Sequence, residues 1–253
     1  AAHARLRARG LRVRAVALCA ISVLALAGCS STEDKAAKIV DEGSSAFEAK
    51  GLEVTRVNRD VTVQDTQVIR DQNGTAVVVV LRSRAATPLQ DVPVALDVAD
   101  RSGTSIWKND ASGLEGALVS IPLLPRGTSI SWVNDQVLPV SGTAASAKAR
   151  IGDAKPARGA LPKITLGEPK LEGDPVDGVA ARGELVNASR VDQRDLVVYG
   201  LARKGGEVVA AGRAIVPRVR AGAKARYAIF FIGDPRGATV EVSAPPTTLR
   251  GAG

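Results

Sequence analysis

The chain has 253 residues, and its 34 Lys and Arg against 26 Asp and Glu give a formal charge of +8. It contains one histidine, His3, and two cysteines, Cys19 and Cys29. Beyond residue 29 there is no imidazole or thiol. This excludes Ser-His-Asp and Cys-His catalysis, the usual zinc sites and a disulfide from that part of the chain.

The first 28 residues have the pattern of a signal peptide. A cationic stretch from Arg5 to Arg14 precedes an apolar run at 15–27, which is too short to span a bilayer as a helix. The run ends in Leu-Ala-Gly-Cys at 26–29, which resembles the lipobox of bacterial lipoproteins. This resemblance implies cleavage before Cys29 and fatty acylation, such as palmitate, on Cys29, with two or three chains giving a stable anchor.

Loss of that segment changes the charge of the chain. Five arginines leave with it, so 29 basic residues face 26 acidic ones, and the high isoelectric point gives little support to nucleic-acid binding. The predicted location is the extracytoplasmic face of the cell membrane. An excess of Arg over Lys, with abundant Ala, Gly and Val, indicates a GC-rich genome such as that of an actinobacterium.

Residues 29–51 are predicted to be the lipidated cysteine and a tether, because Gly43-Ser44-Ser45 interrupts a short helical pattern. From residue 52 onward the patterns are those of strands. The apolar run 77–81 is rich in β-branched valine, and residues 92–98 alternate between apolar and other side chains. Gly and Pro punctuate the remainder at short intervals. The chain is therefore predicted to be an all-β sandwich protein.

An internal repeat divides this region. Residues Pro122, Gly127, Trp132 and Gly142 lie 95 positions before Pro217, Gly222, Tyr227 and Gly237, whereas Leu81 and Asp91 lie 104 before Leu185 and Asp195. The change in offset indicates about nine extra residues in the first copy. The prediction is two tandem immunoglobulin-like sandwiches at 52–152 and 161–249, joined by a linker at 153–160.

The second copy resembles the FxLYD domain, an immunoglobulin-like module of bacterial envelope proteins. The resemblance rests on residues 183–189, 196–201 and 206–212, followed by Ala221-Gly222 and Tyr227. At the positions of the motif that names the domain stand Tyr199, Leu201, Ala202 and Arg203. The resemblance covers most of the second copy and implies a fold rather than an activity.

Catalytic and metal-binding patterns are weak. The spacing Ser105-Ile106-Trp107-Lys108 matches a Ser-x-x-Lys motif, but it falls in a predicted hairpin rather than at the start of a helix. Asp174 and Asp177 lie in a Gly- and Pro-containing loop and are too few for a calcium site. We expect no enzyme activity, no cofactor and no metal.

One candidate binding patch stands out. Trp107 aligns with Ala210 in the second copy and borders an insertion at 109–117, and loops and exposed tryptophans are common in interfaces. The predicted patch consists of Trp107, Asn109, Asp110, Leu114 and Glu115. The alternative is that Trp107 packs beneath the insertion, as Trp132 and Tyr227 are expected to pack in the two cores.

A second candidate surface is basic. Arg213, Arg218 and Arg220 cluster in the second copy and either meet anionic headgroups or wall polymer, or form a solvated face.

Taken together, the sequence predicts a non-catalytic, membrane-anchored protein that binds or scaffolds another envelope protein. A binder of wall polymer or of a small extracellular ligand is the alternative.

Overall fold

The computed structural model describes residues 51–139, 141–174 and 178–249, so the predicted signal peptide, lipobox and tether lie outside the described residues except for Gly51. The described part is all-β, which confirms the predicted fold class. In the first half the strands are β1 (Val61–Asp71), β2 (Gly74–Ser83), β3 (Leu89–Ala99), β4 (Ser105–Lys108), β5 (Ser120–Leu124), β6 (Ser129–Asn134), β7 (Ser146–Ile151) and β8 (Lys155–Pro156), with a 3-10 turn at Gly116–Leu118. In the second half they are β9 (Ile164–Leu166), β10 (Lys170–Asp174), β11 (Gly178–Asn187), β12 (Gln193–Lys204), β13 (Glu207–Val219), β14 (Lys224–Phe230), β15 (Ile232–Gly233) and β16 (Thr239–Ser243).

Each half contains two antiparallel sheets of its own. In the first half one sheet has the order β1-β2-β6, and the other is centred on β3, which pairs with β4, β5, β7 and β8. In the second half one sheet is centred on β11, which pairs with β9, β10 and β14, and the other has the order β15-β13-β12-β16. No ladder between named strands of the described chain joins strands from different halves.

The strand register repeats between the halves. Val79 pairs with Trp132, and Gly183 pairs with Tyr227, which reproduces the sequence offsets of 104 and 95. A β-bulge after Val98 in the first half recurs after Ala202 in the second half. The relation also holds for the pairs Val92–Ile121 and Leu196–Val216. The residue matches found in the sequence thus correspond to matched positions in two copies of one strand arrangement.

The repeat includes an unusual break in the ladder. Asp91 and Asp195 have positive φ values of 53° and 46°, and no other described non-glycine residue has a positive φ. The register places them opposite Pro122 and Pro217. A proline has no N–H to donate to the ladder, and a left-handed residue across from it turns its own peptide groups out of the regular pattern. Each half therefore interrupts its ladder at the same place, between β3 and β5 in the first half and between β12 and β13 in the second.

The halves pack on one another through two sheets that are covered on both faces. Residues 76–79 of β2 are at most 1% exposed, and residues 196–202 of β12 are all buried. Val197 and Tyr199 belong to the same apolar cluster as Val78 of the first half, whereas Leu196 and Val198 belong to the core of the second half. Continuous apolar runs are typical of strands covered on both faces. Trp132 and Tyr227 lie in the cores, as predicted.

The segment predicted as a linker is partly packed against the first half. Lys155 and Pro156 pair with β3, and the Ala157 amide donates to the Pro88 carbonyl oxygen at 2.7 Å. Ala157 is 4% exposed. Residues 158–160 are exposed, so the stretch without strand contacts is shorter than the predicted linker.

Candidate functional site

An insertion interrupts one edge of the first half. β4 ends at Lys108 and β5 begins at Ser120, whereas β13 runs unbroken through the equivalent positions Ala211 and Ile215. The first half therefore has residues 109–119 where the second half has residues 212–214. Eleven residues against three leave eight extra ones, close to the nine that the repeat offsets indicate, and the observed bounds extend the predicted insertion at 109–117 by two residues.

The Asn109 side chain holds the start of the insertion to the sheet. Its Oδ1 accepts a hydrogen bond from the Leu96 amide at 2.6 Å, and its Nδ2 donates to the Val94 carbonyl oxygen at 2.8 Å. The carboxamide thus takes the place of a backbone peptide where β3 has lost its strand partner, because it carries the same donor and acceptor. Asn109 is 1% exposed, so it anchors the loop and is not part of an exposed surface.

The end of the insertion is held by the 3-10 turn. Ala117 and Leu118 are buried. The Trp132 Nε1–H donates to the Ala117 carbonyl oxygen at 3.1 Å, and Asn109 and Asn134 both donate to the Leu118 carbonyl oxygen. The loop is fixed at both ends by buried groups, while residues 110–113, 115 and 116 between them are exposed.

Trp107 is half-buried. It lies in β4 opposite Val98 and packs against the apolar cluster of the first half. Its ring therefore contributes to the core and also leaves part of its surface beside the insertion. Of the other predicted patch residues, Asp110 and Glu115 are exposed and Leu114 is half-buried.

Glu115 also contacts the second half. The Arg213 Nη2 lies 3.3 Å from Glu115 Oε2, and the Arg213 Nε lies 2.8 Å from Asp135 Oδ1. The Arg213 side chain is 3% exposed. Burial lowers the pKa of Arg213, but the facing carboxylates Asp135 and Glu115 raise it by more, so the guanidinium stays charged.

This pairing corrects the grouping of Arg213 with a surface cluster. Arg213 is buried between the halves, Arg218 is ion-paired with Asp192 at 2.7 Å, and Arg220 is exposed. The sequence did contain a signal, since Arg213 shares a strand face with Ala211 and Ile215, both of which belong to the apolar cluster between the halves. A charged residue on such a face needs partners of opposite charge.

A groove of about 670 Å³ lies between the halves beside the insertion. Asp91 and Pro122 line it from the first half, and Asp195 and Thr248 line it from the second. Glu115 forms part of its rim, and Val197 and Ile215 give it an apolar portion. The two left-handed aspartates therefore line one groove, whose lining is mainly acidic and partly apolar and also includes Arg194.

The remaining sequence candidates do not assemble into a reactive site. The Ser105 Oγ–H donates to Asp97 Oδ1 at 2.6 Å, and the Lys108 Nζ lies 3.7 Å from Asp97 Oδ2, so both side chains face one carboxylate on the neighbouring strand. Asp174 ends β10, while Asp177 lies outside the described residues. Within the described ranges no group of three His, Cys, Asp or Glu side chains has the arrangement of a metal site.

Comparisons with known proteins add no assignment. No family model matches the chain, and no curated protein matches it. Among the described residues, no helix is long and apolar enough to cross a membrane.

Proposed function

We propose that the chain is a lipid-anchored protein of the cell envelope that binds or scaffolds another envelope protein and catalyses no reaction. The observation that carries this proposal is the insertion at 109–119. It occurs in one half only, its two ends are anchored by buried groups, and its middle is exposed. A loop held in one conformation costs less entropy on binding than a free one, which suits a recognition surface.

The proposal extends to family and location. The repeated register supports two tandem immunoglobulin-like domains related to the FxLYD module, and the lipobox at 26–29 supports an anchor on Cys29 at the extracytoplasmic face. We expect a Cys29→Ser change to abolish acylation and release the protein into the medium once its signal is removed. Fractionation of cells with a high-salt wash, which removes protein held on the membrane by charge alone, measures this. A processed Cys29→Ser protein that stays firmly on the membrane would contradict the anchor.

The insertion is tested by changing its exposed middle. Replacing residues 110–113 with a Gly-Ser tetrapeptide leaves Asn109, Ala117 and Leu118 in place, so the melting temperature should change little. Crosslinking in intact cells followed by purification of the anchored protein should recover a partner with the unaltered chain and lose it with this variant. The same replacement in the exposed turn at 101–104 is the matched control and should retain the partner. Equal recovery with both variants would remove the insertion from the interface.

Trp107 belongs to the same test. Because its ring is half-buried, Trp107→Ala should lower both the stability and the affinity for the recovered partner, the affinity by about 2 kcal/mol if the exposed part is a hot spot. A thermal melt beside a binding assay separates the two effects. Unchanged affinity would make Trp107 a core residue alone.

A second candidate function is the binding of wall polymer or a small extracellular ligand. The groove that both halves line favours it, and the exposed carboxylates Asp91 and Asp195 suit a cationic group. Titration with soluble wall fragments, monitored by melting temperature, is the test. A shift that Asp91→Asn and Asp195→Asn abolish would support this function, and the absence of any shift would disfavour it.

A further inference from the structure

Four segments meet at one end of the first half, the end at which β1 and β3 begin. Backbone hydrogen bonds of 2.6–3.0 Å connect them to one another and to the adjoining strands. Arg84 donates to the Asp60 carbonyl oxygen, and Asp153 donates to that of Arg56. The segments, which together we call the basic end, are residues 56–60, 84–88, 125–128 and 153–158.

The basic end concentrates positive charge. Its acidic residues are Asp60 and Asp153, and Asp153 is ion-paired with Arg56. Its cations are all exposed, and they are Arg56, Arg59, Arg84, Arg126, Lys155 and Arg158. Within the described part of the chain, Arg56 is the one member of this set with an ion pair. The remaining cations are therefore available to an external anion.

The opposite end of the first half has the opposite charge. Its connecting segments, at 71–74, 100–104, 135–139 and 141–145, contain Asp71, Asp100 and Asp135 against Arg101, and Asp135 is paired with Arg213 of the second half, which leaves a small negative excess. The first half is therefore a charge dipole along its strands. Such a body is oriented by a negatively charged plane, with its cationic end inward.

An exposed apolar side chain lies among the cations. Val57 is 54% exposed and lines a groove of about 830 Å³ together with Arg56 and Arg59. Apolar side chains flanked by Arg and Lys suit the interfacial region of a bilayer, where the apolar part enters the headgroup boundary and the cations meet phosphates. A soluble anion would make no favourable apolar contact with the Val57 side chain.

We propose that the basic end docks on a bilayer surface that carries anionic phospholipid headgroups. This interaction goes beyond the proposed partner binding, and it requires no acyl chain. It is compatible with the proposed anchor, because residues 29–50 could reach about 70 Å when extended, whereas residues 51–58 span about 26 Å along the first half. The basic end could therefore reach the surface without strain in the tether.

The test uses the unacylated chain from Ser30 onward, which contains every described residue. Cosedimentation with vesicles of phosphatidylcholine, alone or mixed with phosphatidylglycerol, should show binding to the mixed vesicles alone, weakening as salt is added. The triple variant Arg59→Gln, Arg84→Gln, Arg126→Gln should bind about 100-fold more weakly, since each cation near an anionic surface contributes about fivefold. The matched control removes three exposed arginines elsewhere, Arg70, Arg101 and Arg226, and should lose much less.

Three results would overturn the proposal. The first is equal binding to both kinds of vesicle, and the second is an equal loss of vesicle affinity in the two triple variants. The third is binding to soluble polyphosphate without binding to vesicles, which would indicate a wall-type polyanion instead. Both triple variants change exposed side chains only, so we expect them to fold normally. Circular dichroism melts check this. Fractionation of Cys29→Ser with a high-salt wash, which releases protein held by charge alone, tests the anchor separately, so either idea can fail without the other.

Discussion

Asn109 shows how one side chain can replace a missing strand residue. Its carboxamide bonds both the Leu96 amide and the Val94 carbonyl oxygen, and its Nδ2 also reaches the Leu118 carbonyl oxygen at 2.9 Å. These backbone groups are buried, and a buried polar group without a partner is costly. The side chain thereby makes a long insertion compatible with an intact core.

We expect Asn109→Ala to lower the free energy of unfolding by about 3 kcal/mol, because it leaves several buried backbone groups without partners. Asn109→Asp keeps the acceptor but loses the donor, and it should be destabilising as well. Asp110→Ala, next in the chain and exposed, should change stability by less than about 0.5 kcal/mol. Urea unfolding measures all three. A small effect of Asn109→Ala would mean that water replaces the amide.

The two tyrosines make the alkaline limit of stability predictable. Desolvation by burial raises the pKa of both Tyr199 and Tyr227 above the ordinary value of 10.0, and neither hydroxyl has a hydrogen-bond partner among the described residues. Because the folded-state pKa is the higher one, the contribution to stability is complete below pH 10 and is lost as pH rises through the folded-state pKa.

The native protein should therefore show less tyrosinate absorbance at about pH 10 than the unfolded chain, which should be half ionised there. Unfolding should become easier above that pH. Tyr199→Phe removes an unpartnered buried hydroxyl, so it should leave stability equal or higher at neutral pH and reduce the alkaline loss. Native titration near the ordinary value would contradict the burial of both rings.

At the scale of elements, a close contact fixes the sheet around β11. Gly183 pairs directly with Tyr227, and a Cβ built on Gly183 would lie 2.3 Å from the Tyr227 Oη. The ring therefore lies across the glycine. In the first half the equivalent pair is Val79 and Trp132, where the indole instead donates to the insertion.

Gly183→Ala should cost about 1–3 kcal/mol of stability, because the added methyl group clashes with the ring. In a Tyr227→Leu background the same substitution should cost much less, and the difference is the coupling energy of the pair. Denaturant melts of the four proteins give this cycle. Additive effects would show that the ring does not cover Gly183.

The sequence predicted the strands well where their position depends on the local pattern of apolar residues. β-Branched runs and alternation identified the strands around 77–81 and 92–98, and matched positions identified two copies. Pattern could not show that Asp91 and Asp195 face Pro122 and Pro217, because that depends on strand pairing. Nor could it predict the role of Asn109, since its partners on β3 lie 13 and 15 residues away in sequence.

On the scale of the whole molecule, the packing of the halves was the main feature that the sequence left open. The run 196–201 is apolar without alternation, which signals a strand buried on both faces but does not say what covers the second face. The covering sheet belongs to the other half, and the buried ion pairs of Arg213 lie in the same contact. The sequence pattern of one copy does not show which sheet covers it or which carboxylates pair with Arg213.

Separated halves should each fold, since each has two sheets, but with lower stability than the joined protein because Val78 and Tyr199 become exposed. A protease site placed within residues 158–160 allows the connection to be cut after folding. The two pieces should then coelute in gel filtration at neutral pH. Arg213→Ala should weaken that association, because it leaves Asp135 partly buried without its partner. Immediate separation of the cut wild-type halves would contradict a tight contact.

The course of residues 51–58 also determines how the protein would carry mechanical load. Gly51 lies against the backbone of Asp110, and Val57 forms a bridge with Gly152 at the end of β7. Suppose that a partner bound at the insertion pulls against a chain fixed at Cys29. The tension then enters the folded part at Gly51 and leaves it at the insertion, close to Gly51, so the covalent path between the two points lies within the first half. The second half then receives load only through the ion pair between Glu115 and Arg213, while the edge around Val57 carries the load that enters at Gly51.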